Sequence, residues 1–379
     1  MKGLKKVLVF TALVSLAVPT VSSCGVAKVV KCIGKEKLDV FNWGSYIDPA
    51  VIEAFEVEND VCVNYSTFDS NETAVEKLKK NEVYDVIFPS EYAIEQLISE
   101  DLIAQIDWSK ITSVSNNLDE EANGDNHLVS GLKGMINSLK NADSSVNFLN
   151  YTVPYFWGTV GIVYDTTVVS LSQIEEKQWD ILKDNSYTLG YYNSSKDGFM
   201  IPLKELGYSV NTTNSSEVDE AKEWLIDQKR TLGSKLSYVG DDVIEDMASE
   251  NNRYDMAVVY SGDATYMMQE NEKLSYYKPT IGTNVWFDGM VIHKEAKNVD
   301  LAYKFINFMM EDENAEANSL YVGYSSVKAN IYDNLLNGDF IDQTASYEVI
   351  FDKEKDEMFR YNPTSKKLID DAWADVKLA

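Results

Sequence analysis

The 379-residue chain has few of the side chains on which nucleophilic enzymes and metal sites depend. It contains two histidines, His127 and His293, and three cysteines. A Ser-His-Asp or Cys-His nucleophile requires a histidine, but His127 lies in a polar stretch and His293 follows an apolar run, so we expect both to be structural or solvated. The histidines and cysteines also lack metal-ligand spacing. The sequence thus predicts no catalytic residue, metal or cofactor, and we expect the protein not to be an enzyme.

Phosphate-binding loops and a basic surface are also missing. Neither G-x-x-x-x-G-K-[ST] nor G-x-G-x-x-G occurs. There are 34 Lys and Arg against 61 Asp and Glu, which gives a formal charge of −27, and loss of three leader lysines would make it −30. Because nucleic acids and anionic membrane surfaces bind basic patches, we expect neither as a partner. The acidic balance is compatible with a cationic ligand, although solubility alone also accounts for it.

Long apolar runs are absent after the first residues, since none approaches the ~20 residues that a membrane helix needs. The N-terminus combines three lysines, the short apolar stretch Val7–Val18 and the ending Val21-Ser22-Ser23-Cys24. This order is typical of a lipoprotein signal peptide, so residues 1–23 should be removed and Cys24 lipidated. Cleavage of a plain signal peptide is the alternative. Several lipid chains would hold the protein stably on the outer face of the cytoplasmic membrane.

The remaining two cysteines allow a disulfide. Residues 24–37 are predicted to be a tether that contains Cys32, whereas Cys62 lies in the alternating apolar stretch of a strand. A Cys32–Cys62 bond is possible, but we expect two buried or idle thiols instead.

Strand and helix patterns alternate along the rest of the chain, which predicts an α/β fold with helices covering a largely parallel sheet. The polar segment Ser113–Asn150 is expected to be a surface loop. Two long apolar strands, Pro154–Tyr164 and Val285–Ile292, are long enough to run between domains. We therefore predict two discontinuous lobes that close about a hinge. Their predicted bounds are 38–161 plus 287–332 for lobe 1 and 162–286 plus 333–379 for lobe 2.

Two clusters place aromatic rings beside polar or acidic groups at predicted strand ends. They are Phe41-Asn42-Trp43-Gly44-Ser45-Tyr46 and Asn284-Val285-Trp286-Phe287-Asp288. Rings attract an organic cation and stack on its hydrocarbon, and a carboxylate fixes its ammonium. Trp286 and Asp288 are two residues apart on a strand and so share a face. They can therefore meet the same end of a ligand.

The chain resembles the spermidine/putrescine-binding proteins of bacterial ABC importers over essentially everything after the tether. The matching stretches, in order, are Phe41–Tyr46, Tyr65–Thr73, Tyr84–Tyr92, Pro154–Gly158, Leu206–Ser209, Trp286–Asp288 and Gly323-Tyr324. The resemblance implies a two-lobed, type II periplasmic-binding-protein fold, the Venus flytrap, with an extended polyamine in the cleft. It also implies delivery of the ligand to permease subunits by a protein that we expect to be monomeric.

The resemblance further implies the site residues. Rings match at Trp43, Tyr46, Tyr92, Trp286 and Tyr324, and Tyr260 stands where the family usually has tryptophan. Asp288 matches the carboxylate that receives an amino group, Asp197 is a second candidate acid, and Ser45 and Ser90 are polar neighbours.

Two positions depart from the family pattern. Ser194 replaces one of a pair of acids, and Arg360 replaces a glutamine that touches the ligand. Because one acid is lost, neutralisation of a trivalent ligand is incomplete, which favours putrescine or weaker spermidine binding. The alternatives are a binding protein for a thiamine-like or amino-acid-like ligand, which Ser194 and Arg360 would favour, and a surface lipoprotein that acts as an adhesin.

Overall fold

Ten strands form one sheet within residues 32–142 and 147–379, the part of the chain that the computed structural model describes. The predicted leader, Cys24 and most of the tether lie outside these residues. The strand order is β2-β1-β3-β9-β4-β7-β5-β6, and β8 and β10 also pair with β4. The strands are β1 Glu36–Trp43, β2 Val61–Phe68, β3 Val86–Ile87, β4 Val153–Asp165, β5 Leu189–Tyr192, β6 Leu236–Val239, β7 Met256–Tyr260, β8 Leu274–Tyr277, β9 Val285–Ile292 and β10 Ser325–Ser326.

Helices connect most of the strands and cover the sheet. None of the described helices is long and apolar enough to span a bilayer. The helices are α1 Pro49–Asn59, α2 Asn71–Lys79, α3 Glu91–Ser99, α4 Ser130–Ala142, α5 Leu171–Lys177, α6 Ser195–Glu205, α7 Ser215–Leu232, α8 Asp242–Ala248, α9 Ser261–Glu270, α10 Val299–Met309, α11 Asp312–Val322, α12 Ala329–Leu336, α13 Thr344–Tyr347 and α14 Pro363–Leu378.

Each end of the sheet is built from parallel strands, as the alternating pattern predicts. Strand β1 pairs in parallel with β2 and β3 at one end, and β5 pairs in parallel with β6 and β7 at the other. Helix α1 begins directly after Asp48, which accepts a hydrogen bond from the Ala50 N–H, and Pro49 fills the first turn.

Strands β4 and β9 lie next to each other in the middle of the sheet and join its two parallel ends. Residues 153–159 of β4 pair antiparallel with β9, and residues 160–164 pair antiparallel with β7. All thirteen residues of β4 are buried. Both predicted long strands form, and β4 contributes side chains to both large cores, whereas the side chains of β9 pack in the first. That both strands run between lobes stays a prediction.

The buried apolar side chains form separate cores, and β4 contributes to both of the large ones. One core uses residues 38–157 and 285–358. A second runs from Val160 to Val258 and adds Phe359–Val376 from the C-terminus. A smaller third core lies around Val243, Met247 and Met267. The predicted lobe boundaries at residues 161, 286 and 332 stay predictions.

The expectation of a surface loop over Ser113–Asn150 is wrong for its second half. Helix α4 forms there and buries Leu132, Met135 and Ile136. These residues recur at helical spacing, but the polar residues around them hide the short apolar stripe. Lys133 is also buried, and its ammonium donates to the backbone carbonyls of the preceding loop.

The expectation of two idle thiols is also wrong, because Cys32 and Cys62 form a disulfide with Cα atoms 5.8 Å apart. The bond joins the tether to the buried strand β2. It closes a loop with a sequence separation of 30. The sequence does not predict this pairing, because it does not show that the tether returns to the start of β2.

We predict that loss of this bond lowers stability through the entropy of the unfolded chain. A loop of this size contributes about 3.6 kcal/mol in the chain-entropy model. Cys32→Ala should therefore lower the free energy of unfolding by roughly this amount in urea titrations of the soluble domain that starts after Cys24. Reductant should weaken the wild type equally and leave the variant unchanged. A wild type that is insensitive to reductant would contradict the prediction.

Candidate functional site

The side chains predicted to bind a ligand come together where the two large cores meet. Tyr92, in the first turn of α3, and Tyr260, at the end of β7, pack against both cores. Tyr260 lies opposite Val160 of β4 in the sheet, and Tyr92 lies near Phe359 with ring centroids 6.2 Å apart. The junction between the cores is therefore lined by rings from both sides.

Strand β9 presents Trp286 and Asp288 on one face, as their spacing predicts. Phe287 lies between them in sequence, and its ring meets Phe148 in the core behind the sheet. Asp288 is 4% exposed, and the Tyr46 hydroxyl donates to its Oδ2 at 2.6 Å. Strand periodicity thus separates a core residue from two residues that face the junction.

Four rings form a continuous aromatic wall beside Asp288. Trp286 meets Tyr260 and Tyr324 with ring centroids 5.8 and 5.3 Å apart, and Tyr324 meets Tyr46 at 5.6 Å. All three contacts are edge-to-face, with interplanar angles of 85°, 76° and 66°. The indole N–H of Trp286 is buried without a hydrogen-bond partner within the described chain. Such a wall suits a cation with a hydrocarbon stem.

Two buried carboxyl groups meet at the foot of this wall. Glu91 is fully buried, and neither of its carboxyl oxygens has a hydrogen-bond partner among the described residues; the same is true of Asp288 Oδ1. Burial raises the pKa of Asp288 to about 6, while hydrogen bonds from Ser90 and Tyr46 oppose the shift. Burial and the charge of Asp288 raise the pKa of Glu91 as well. Two adjacent buried acids favour binding of a cation, and the charge of Lys196 already acts on Glu91.

Two more acids line the junction, Asp197 from beside the second core and Asp263 from beside the third. Asp197 is buried and hydrogen-bonded to Tyr260 and Ser194, and burial raises its pKa. The Tyr324 hydroxyl donates to Asp263 at 2.9 Å, and burial raises the pKa of Asp263 to about 7. Carboxyl groups therefore face the junction from both cores.

Ser194 begins helix α6 and accepts the Asp197 N–H through its hydroxyl. It therefore supplies a helix cap and carries no charge. Ser90 holds Asn71 through two hydrogen bonds, and Asn71 also donates to the Tyr92 hydroxyl at 3.1 Å. These contacts fix the ring of Tyr92 and the backbone beside Asp288.

Trp43 and Ser45 lie at the end of β1. The Trp43 ring is half-buried against Phe68, with centroids 4.5 Å apart, and its indole N–H is unpartnered within the described residues. Ser45 is exposed and has a φ of 50°, in the turn that leads to Tyr46. This turn brings Tyr46 back under the aromatic wall.

The guanidinium of Arg360 is held by Glu95 of α3. Its Nη2 lies 2.6 Å from Glu95 Oε1 and its Nε lies 3.0 Å from Oε2, and the Tyr361 N–H also donates to Oε2 at 2.7 Å. This fork joins the C-terminal segment, which belongs to the second core, to a helix of the first core. The position predicted to touch a ligand thus forms an ion pair between the cores.

Comparison with known protein families identifies the family of this chain. The model of the bacterial extracellular solute-binding proteins matches residues 50–347, more than half of the chain. The chain belongs to this family. Solute-binding proteins of this family are not enzymes, in agreement with the sequence prediction.

Characterised relatives narrow the group of binding proteins further. A spermidine/putrescine-binding periplasmic protein of Salmonella typhimurium is 30% identical over 294 residues, which cover 76% of this chain and 77% of the relative. That of Escherichia coli is 29% identical over 289 residues, 75% of each chain. The solved structure of a spermidine/putrescine ABC transporter substrate-binding protein from Streptococcus pneumoniae is 32% identical, with a TM-score of 0.71, and covers 90% of this chain and 99% of its own. These likenesses confirm the predicted resemblance and the two-lobed fold.

The sequence of this solute-binding protein does not single out four charged residues of the junction. Glu91 separates the predicted residues Ser90 and Tyr92 and is buried in the first turn of α3. Asp263 lies in the first turn of α9, directly after Tyr260. Glu95 lies four residues after Glu91 and therefore on the same face of the helix. This spacing is the one sequence feature that indicates its position near the junction. The fourth residue, Lys196, is adjacent to Asp197, and adjacency alone does not give its direction.

We predict that Asp288 lowers the stability of the ligand-free binding protein. A carboxyl whose pKa rises from about 4 to about 6 on folding destabilises the native state as the pH rises through this window, by about 3 kcal/mol at pH 7. Asp288→Asn should therefore raise the free energy of unfolding at pH 7, and its advantage should shrink as the pH falls towards 4. The exposed Asp339→Asn, measured alongside, should change little, and a destabilised Asp288→Asn protein would refute the assignment.

We also predict that the Arg360–Glu95 pair favours the arrangement in which the lobes touch. Glu95 is 9% exposed, so Arg360→Gln leaves a nearly buried carboxylate without its guanidinium, which costs about 1–2 kcal/mol for a partly exposed pair. Separation of the lobes would hydrate Glu95. Small-angle scattering of the ligand-free variant should thus show a larger radius of gyration. The double variant with Glu95→Gln should recover part of the change, whereas additive effects of the two substitutions would show that the pair is not coupled.

Proposed function

We propose that this protein captures polyamines outside the cytoplasmic membrane and delivers them to an ABC importer. The names of the relatives, which bind spermidine and putrescine, support this proposal. The observation that carries it is the unpartnered oxygen of buried Asp288 beside an aromatic wall. A cationic ligand with an apolar stem satisfies both features at once.

The chemistry of an alkyl ammonium fits this end of the junction. An ammonium has three donors and needs acceptors, and Asp288 Oδ1 together with the oxygens of Glu91 offers acceptors that the described chain leaves unused. Binding then replaces repulsion between two acids by attraction to one cation. The rings of Trp286, Tyr324 and Tyr46 can stack along the methylene groups. Charge and hydrocarbon are thus recognised by different parts of one site.

The second set of acids gives a reason for lobe closure. Asp197 lies beside the second core and Asp263 beside the third, whereas Glu91 and Asp288 lie on the side of the first. Carboxylates that face one another across the junction repel, and a ligand with an ammonium at each end neutralises both sets. The ligand therefore stabilises the closed form by its own two charges. The closed form is the one that we expect to dock on the permease subunits.

The remaining parts of the proposal follow from the N-terminus and the family. Residues 1–23 would be removed and Cys24 lipidated, which places the protein on the outer face of the cytoplasmic membrane. A substrate-binding lipoprotein needs no partner copy to complete its site, so we propose a monomer. The residues that we propose to contact the ligand are Trp43, Ser45, Tyr46, Ser90, Tyr92, Ser194, Asp197, Tyr260, Trp286, Asp288 and Tyr324, with Arg360 at the edge through Glu95.

Calorimetric titration of the soluble domain with putrescine, cadaverine, spermidine and spermine tests the proposal. We expect micromolar or tighter binding of at least one of them. Asp288→Asn should weaken that binding at least 100-fold, because it removes the charge that pairs with a buried ammonium, a loss of the order of 3 kcal/mol. The titrations should be done at pH 8, where Asp288 is ionised.

Two controls make the result specific. Asp339→Asn removes an exposed carboxylate and should bind like the wild type. Circular dichroism of each protein should show that it is folded. Folded wild type that gives no heat with any of the four amines would overturn the polyamine proposal, and thiamine and cationic amino acids would be tested next.

A further inference from the structure

Lys196 lies inside the junction and covers one of the rings proposed to hold the ligand. It is the second residue of α6, and its Nζ is 3.2 Å from the ring centroid of Tyr92, which belongs to α3 on the opposite side. It is also 5.5 Å from the Phe359 centroid. An ammonium this close to a ring centroid occupies that face of the ring.

The acids around Lys196 explain why its ammonium is held there. Glu72, Glu91 and Asp197 all favour the charged lysine, while Lys366 opposes it. The charge of Lys196 in turn lowers the pKa of Glu91. Lys196 therefore supplies a counter-charge to this buried carboxyl. Burial pulls the pKa of Lys196 down to about 8. A large fraction of the side chain is therefore charged at neutral pH despite its partial desolvation.

We propose that the Lys196 ammonium is a built-in cation that fills one amino-group position of the cleft, so that the protein selects a short diamine over a longer triamine. The inference rests on the proposed polyamine function and adds the residue that sets the preferred ligand length. Lys196 is placed as a bound ligand amine would be, with an ammonium on an alkyl stem that lies over an aromatic ring and beside carboxylates. A ligand ammonium placed at Tyr92 would have to displace Lys196 or lie beside it.

The remaining acids are matched to a dication. Asp288 lies at the foot of the wall formed by Trp286, and Asp263 is reached through Tyr324. The main charges that act on Lys196 are those of Glu72, Glu91, Asp197 and Lys366, so these two acids are not its chief partners. A ligand with two ammonium groups can pair with them while Lys196 stays in place. A third ammonium on a longer chain would meet the lysine and be repelled.

The test compares putrescine and spermidine on Lys196→Met and Lys196→Arg by calorimetry. Methionine keeps an unbranched stem of similar volume and removes the charge, whereas arginine keeps the charge. The wild type should prefer putrescine. Lys196→Met should shift the ratio of the two dissociation constants at least tenfold towards spermidine, and Lys196→Arg should keep the wild-type preference.

Lys367→Met is the matched control, because Lys367 is an exposed lysine on α14 that pairs with Asp371. Its ratio should equal that of the wild type. The Lys196 inference is overturned if the wild type already binds spermidine more tightly, or if Lys196→Met leaves the ratio unchanged. If the wild type binds neither amine, the proposed function itself fails. Thermal unfolding of each variant shows that any change in the ratio comes from a folded protein.

Discussion

Burial of several carboxyl groups at one junction is the constraint on which the rest of the molecule depends. Asp288, Glu91, Asp197 and Asp263 lie between two hydrophobic cores, and burial raises the pKa of each. Buried acids of one sign cost free energy unless a counter-charge arrives. The fold must therefore be stable enough elsewhere to tolerate these buried carboxyl groups, and a cation that pairs with them, as proposed, would remove this cost.

Strands β4 and β9 stabilise the fold around these carboxyl groups and also fix the positions of the site residues. Strand β4 is buried along its whole length and joins β9 to β7, so the acid on β9 and the ring at the end of β7 are held by one hydrogen-bonded frame. Glu91 and Asp197 are carried instead by the first turns of two helices, α3 and α6, which belong to opposite sides. Closure of the lobes, as proposed above, would change the distance between these helix starts more than the β9 wall. This division suits a site with a rigid recognition end and an end that closes.

Much of the fold and part of the site follow from the sequence alone. The strand Val285–Ile292 and the shared face of Trp286 and Asp288 are fixed by alternation, which is a local rule. Helix α4 is not predicted because its apolar stripe is short. The Cys32–Cys62 bond is not predicted because it depends on where the tether meets the folded domain. The sequence does not predict the direction of single side chains. Whether Lys196 or Arg360 faces the junction depends on Tyr92 and Glu95, which are far away in sequence.

These two cations show how an acidic site can hold positive charge without ceasing to favour a cation. Arg360 is engaged by both oxygens of Glu95, so its field is largely cancelled where it stands. Lys196 is held differently, because it rests on a ring and the acids that favour its charge act at longer range. Its charge therefore reaches into the junction and reduces the number of further ammonium groups that the acids can accept. Position, and not the net charge of −27, determines which polycation this surface can hold.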